Sequence, residues 1–154
     1  MAVQIKVQID GLNKIMEGLK RAPETTIEET SKAINKSVNL IWNQALKEAP
    51  VNKQTGGGNL RQNIRGRMTT KMSGEVEARA PYSIFVHEGT SPHDIEVRNK
   101  QVLANKRTGQ FFGKLVHHPG TRPNPFFTRA INNCRTKINE FFKTAIDNIF
   151  KSLQ

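Results

Sequence analysis

The sequence predicts an α+β fold, a small and mostly antiparallel sheet flanked by a long helix in the N-terminal half and a long C-terminal helix. Three observations predict it. Residues 24–48 carry apolar side chains at helical spacing, and so do the residues beyond Pro125. Several short segments outside these stretches alternate polar and apolar residues with the period of a strand. At 154 residues the chain has room for one core, so a single domain is expected.

The elements follow in order. Val3, Ile5, Val7 and Ile9 alternate with Gln4, Lys6 and Gln8, which describes a strand with one buried face. Asp10 and Gly11 end it, and Asp10 serves as N-cap of a short helix with the stripe Leu12, Ile15, Met16 and Leu19. Pro23 stops that helix. The long helix runs from Glu24 to Glu48 on Ile27, Ile34, Val38, Ile41 and Ala45, with Trp42 and Leu46 at the margin. Glu24, Glu28 and Glu29 suit the positive end of its dipole, and Pro50 closes it.

Residues 52–58 form a glycine-rich loop in which order is entropically costly. Strands are expected at Leu60–Met68 and Gly74–Ala80, joined by a hairpin through Thr69–Ser73. A short hydrophobic piece follows at Tyr82–Val86, then a strand at Ile95–Val97. Residues 91–114 read as an extended basic arm, and Leu115–His117 as a return to the sheet. Pro119, Gly120, Pro123 and Pro125 make a turn-rich stretch. The last helix begins near Pro125, with Phe127, Ile131, Cys134, Ile138, Phe141, Ala145 and Ile149 on one stripe and Phe142, Ile146 and Phe150 widening it. It is expected to pack on the sheet, with part of the stripe available to a neighbouring subunit.

The formal net charge of +11 favours polyanionic neighbours: nucleic acid, a membrane surface or an acidic protein face. The lone Cys134 allows no intrachain disulfide and fits synthesis in a reducing cytoplasm. The N-terminus lacks the long apolar run of a signal peptide, and no stretch approaches the roughly 18–20 apolar residues of a membrane span. A soluble protein, not exported by a signal of its own, is the expectation.

Chemistry is thinly represented. His87, His93, His117 and His118, with Glu88 and Asp94 nearby, invite a metal site, but their spacing is neither HExxH nor joined to a CxxC. On a strand His117 and His118 point to opposite faces. Turn histidines bonded to backbone are the preferred reading. Cys134 falls on an apolar stripe, no GxSxG elbow is present, and neither Arg107–Lys114 nor Thr55–Gly58 has the spacing of a phosphate loop. No catalytic, metal or cofactor site is expected, and the chain does not read as an enzyme. Lys53, Arg61, Arg65, Arg67, Lys71, Arg79, Arg98, Lys100, Lys106, Arg107, Lys114 and Arg122 make the middle strongly basic. With Phe111 and Phe112 among them, a nucleic-acid-binding surface is the alternative to a basic face turned toward an acidic partner.

Three segments carry a further pattern. Ala49-Pro50-Val51, Thr55-Gly56 and Asn59-Leu60-Arg61-Gln62-Asn63-Ile64 resemble a stretched "APV-x-TG-x-LR-x-SI" signature. Tyr82-Ser83-Ile84-Phe85-Val86-His87-Glu88-Gly89-Thr90 is similar to "YA-x-YVE-x-GT", and His118-Pro119-Gly120-Thr121-Arg122-Pro123-Asn124-Pro125-Phe126-Phe127 to "HPG-x-x-P-x-PF". In this order they resemble the neck, or tail-completion, family of lambdoid and related long-tailed bacteriophages, over nearly the whole chain. The departures are the lengthened glycine loop and His87.

The resemblance implies a structural virion protein at the head–tail junction, made in the host cytoplasm and assembled as a ring, a hexamer, between head connector or stopper and tail terminator or tube. It implies passing contact with DNA at most and none with membrane. Pro50, Gly89, Pro119, Gly120 and Pro125 then set backbone shape, and Phe126 and Phe127 anchor the last helix to the sheet. Contact surface with neighbours is expected at Leu60, Arg61, Ile64, Tyr82, Phe85, His87, Glu88, Arg98, Lys106, Arg107, Phe111 and Phe112.

Overall fold

The computed structural model describes residues 5–8, 24–51, 57–97, 102–104 and 108–152. The expected helix at Leu12–Leu19 lies outside them, as do residues 52–56 of the glycine loop and Arg98, Lys106 and Arg107 of the arm. The fold is α+β, a small antiparallel sheet flanked by two long helices. Contacts divide the chain into two compact units, Met1–Ile84 with Pro125–Gln154, and Phe85–Asn124.

In the first unit, helix α1 spans Glu24–Glu48, the bounds its periodicity predicts. Strands β1 (Ile5–Gln8), β2 (Ile64–Thr70) and β3 (Ser73–Ala78) form a sheet in the order β1-β3-β2, antiparallel throughout. Asn59–Gln62 is one helical turn, α2, where the alternation predicted a strand beginning at Leu60. Leu60 and Ile64 are four residues apart, a spacing that serves a helical turn as well as a strand. Asn63 decides between them: its Nδ2 donates to Asn59 O at 2.7 Å and to Asn59 Oδ1 at 2.8 Å, closing the turn. The chain then enters β2 at Ile64 and reverses at Lys71–Met72, a tighter hairpin than predicted.

Helix α1 meets β2 and β3 along one face. Gly66 and Gly74 permit this approach, since a Cβ on Gly66 would come 2.8 Å from Trp42 Cβ and one on Gly74 would overlap Val38 Cγ2. Trp42 fixes the register by donating its indole N–H to Ile64 O at 3.0 Å. On its other face β3 carries Glu75 and Glu77, both buried, where simple alternation predicts an exposed row. The charges persist because they are paired. Arg67 Nε donates to Glu75 Oε1 at 2.7 Å and Arg79 Nε to Glu77 Oε1 at 2.6 Å. The Glu75 carboxylate holds the Arg67 guanidinium above its ordinary pKa.

The last helix, α4, spans Phe126–Ser152. Its apolar stripe packs on α1, not on the sheet as expected, so α1 is the element shared by both. The two helices run antiparallel and are tied at both ends. Arg129 Nε and Asn133 Nδ2 each donate to the Glu48 carboxylate at 3.0 Å, and Asn148 Nδ2 donates to Glu29 Oε2 at 2.8 Å. Arg129 foremost holds the Glu48 carboxyl below its usual range, and hydrogen bonds from Lys32 and then Asn148 do the same for Glu29. Midway, Cys134 Sγ lies 3.7 Å from Leu40 O, buried as a small apolar residue whose thiol pKa is pushed up by desolvation. Phe126 and Phe127 are both buried, with ring centroids 5.0 Å apart.

Gly74→Ala should destabilise the chain by about 1–3 kcal/mol, the usual cost of overpacking a core, read as a lower urea midpoint. Adding Val38→Ala should recover part of that loss, because it removes the methyl group the new Cβ meets.

Candidate assembly surface

The second unit is built from strands and turns. Helix α3, Ser83–Glu88, leads into it where the sequence showed only a short hydrophobic piece. Strands β4 (His93–Glu96) and β7 (Leu115–His118) pair antiparallel with Ile95 opposite Val116, so β7 does not rejoin the three-stranded sheet. Further along the same excursion β5 (Leu103–Ala104) pairs with β6 (Phe111–Gly113). In its described residues the expected arm is therefore a two-stranded ribbon.

A crossing of two resembled segments fixes its base. Thr90 and Thr121 exchange both backbone hydrogen bonds, each at 3.0 Å, and Asn124 N donates to Val86 O at 3.0 Å. Gly89 and Gly120 flank this bridge at φ +76° and +84°, in the left-handed region that favours glycine. A Cβ at either would overlap backbone across the bridge, Thr121 O in one case and Thr90 O in the other. Both glycines are demanded twice, by dihedral and by space.

The histidines are held locally. His87 Nδ1 and Glu88 Oε1 lie 2.6 Å apart, and so do His117 Nδ1 and Asp94 Oδ1. His118 Nδ1 accepts from Gly120 N at 3.1 Å, and its ring stacks on His93 at 5.0 Å. His117 and His118 do face opposite ways along β7. Among the described residues no three His, Cys, Asp or Glu groups gather to hold a metal, and no helix is long and apolar enough to cross a membrane.

The apolar residues of this unit carry its chemistry. Among the described residues 85–124 none is buried. Phe111 is 72% exposed, Leu115 55%, Phe85 54% and Phe112 45%, with Ile95 and Val102 also uncovered. Of the residues expected at a contact surface, Phe85, Phe111, Phe112, Glu88 and, in the first unit, Tyr82 and Arg61 stand exposed, and His87 is partly covered. Leu60 and Ile64 do not belong with them: both are buried in the first unit's core. Arg61 also reaches back to donate to Ala49 O at 3.2 Å. Sequence reading missed Ile95 and Leu115 as surface, because alternation cannot say which face of a ribbon is covered.

Gly120→Ala should loosen the base of the ribbon alone. Protease cleavage within residues 85–124 should accelerate, while the urea midpoint of the helix pair stays near that of the parent chain.

Comparison with known proteins places nothing beside this chain: no family model, no curated protein and no solved structure matches it.

Proposed function

We propose that this chain is a structural neck or tail-completion protein of a long-tailed phage, acting by assembly and not by catalysis. The observation that carries the reading is the ribbon unit, which exposes Phe85, Ile95, Phe111, Phe112 and Leu115 and buries no apolar residue of its own among those described. A two-stranded ribbon is marginal alone in water, and exposed apolar surface of this kind marks a place for a partner. The resembled segments add direction. Two of them meet at the Thr90–Thr121 bridge, with glycines required there by geometry, which suits motifs that serve architecture.

In this reading the chain takes its place in a ring between head and tail, with Phe111 and Phe112 among the side chains that become covered. The net charge of +11 is turned mostly toward acidic faces of neighbouring virion proteins, since a wholly basic lumen would grip passing DNA. The protein is made in the host cytoplasm and leaves it in the virion.

The test is complementation of joining. A phage lacking this chain should accumulate separate heads and tails, and purified protein should restore infectious particles while Phe111→Ser/Phe112→Ser protein does not. Protein that is inert in that mixture, yet binds free DNA with an affinity falling steeply in salt, would replace this reading with the nucleic-acid one.

A further inference from the structure

Two histidines with opposite protonation patterns fasten the base of the ribbon. His93 and His118 sit directly across the β4–β7 ladder, with ring centroids 5.0 Å apart and planes 29° from parallel. His93 Nδ1 lies 2.9 Å from Ser91 O. A carbonyl oxygen only accepts, so that nitrogen carries the proton and Nε2 the lone pair. His118 Nδ1 receives the Gly120 N–H at 3.1 Å, so it carries the lone pair, and the neutral ring keeps its proton on Nε2. Ser91 and Gly120 each adjoin one partner of the Thr90–Thr121 bridge, and a Cβ on Gly120 would overlap Thr90 O. Each ring thus holds one strand where the bridge closes the unit.

The two rings answer a proton differently. On His93 it lands on Nε2 and leaves the Ser91 bond in place. On His118 it has to land on Nδ1, where the Gly120 N–H already points, so two N–H groups face each other. The ring must turn away and Gly120 N–H loses its acceptor. With His93 also charged, two cations are stacked 5.0 Å apart. The other histidines pull the opposite way. His117 Nδ1 pairs with Asp94 Oδ1 on the far face of the ladder and His87 Nδ1 with Glu88 Oε1 at the end of α3, both at 2.6 Å. A proton strengthens each of these pairs, but His117, Asp94 and Glu88 are open to water, which screens the gain. Glu96 and Lys114 lie toward the other end of the ladder, and Arg122 is exposed beyond the bridge. His118 gives up a backbone bond to take its proton, whereas these two pairs are kept.

We propose that the His118–Gly120 contact makes the ribbon base a proton-responsive clasp, closed while the ring is neutral and released when it is protonated. Opening takes up a proton, so the base is firm above the ordinary histidine range and loosens as pH falls through it. All four histidines lie within Phe85–Asn124, so over that range the response belongs to the second unit and leaves the helix pair and its sheet untouched. The inference concerns residues 85–124 alone and stands apart from the neck reading.

The test is amide exchange by NMR on the full chain at about pH 7.5 and about pH 5.5, either side of the histidine range and corrected for intrinsic rates. Three proteins are compared: parent, His118→Asn and His118→Phe. Asparagine keeps an acceptor for the N–H two residues on but does not titrate, and phenylalanine offers none. In parent protein, protection of the Thr90 and Thr121 amides should fall about tenfold between the two conditions. That is the factor by which protonating a solvated histidine favours the opened base one unit below about 6.5. His118→Asn should keep its protection at both, and His118→Phe should lack it at both, with α1 and β3 amides unchanged in all three. Ring nitrogen shifts of parent His118 at the higher pH should place the proton on Nε2. Three outcomes overturn the proposal: equal protection of the parent at both pH values, a neutral His118 with its proton on Nδ1, or an acid release in His118→Asn that matches the parent.

Discussion

Helix α1 has to satisfy two partners at once, and the rest of the structure depends on that constraint. One face takes the stripe of α4 and the adjoining face takes β2 and β3. The sheet side is met at backbone distance because two of its positions, Gly66 and Gly74, have no Cβ to hold Trp42 and Val38 away. The helix side is set by length and polarity: residues near the ends of α4 bind carboxylates near the ends of α1, Arg129 and Asn133 on Glu48 and Asn148 on Glu29. Hydrogen bonds to these partly buried carboxylates add modest energy each, but they forbid sliding, since a shift of one turn would break both ends together. The apolar stripe supplies the cohesion and the ties supply the register.

The ribbon unit follows the opposite rule. Its order comes from the β4–β7 and β5–β6 ladders, the Thr90–Thr121 bridge and the left-handed Gly89 and Gly120 beside it, with no apolar interior among its described residues. Backbone hydrogen bonds open to water contribute modestly to net stability. Such a segment holds its shape through backbone pairing while Phe85, Phe111, Phe112 and Leu115 stay exposed. The two units thus differ in physical basis: the first is held by the buried apolar contacts of α1, α4 and the sheet, and the ribbon by backbone pairing alone among its described residues.

Much of this was legible in the residues, unevenly. The bounds of α1 follow from its periodicity and flanking prolines, and α4 from an apolar stripe that persists over seven turns. The excursion at 91–114 was legible from its composition, and Gly120 as a turn-setter from the prolines around it, whereas Gly89 came only from the resembled segment. Local pattern failed wherever the partner of an element decided its fate. Leu60 reads equally as strand or helical turn until the Asn63–Asn59 closure is seen. Glu75 and Glu77 read as exposed because alternation assumes one wet face, whereas β3 is the middle strand and its carboxylates find arginines. Leu115–His118 reads as one more strand, and sequence cannot tell a sheet from a separate ribbon. For the same reason the exposure of Ile146 (43%) and Phe150 (64%) was visible only as a widening of a stripe.

Amide hydrogen exchange on the free chain at low concentration tests the central division most directly. Amides in the middle of α1, α4 and β3 should exchange only through global unfolding, while those of Ile95, Val116 and Gly113 exchange orders of magnitude faster through local opening. Ribbon amides as slow as those of α1 would contradict the account, since they would place the stability of residues 85–124 inside the isolated chain.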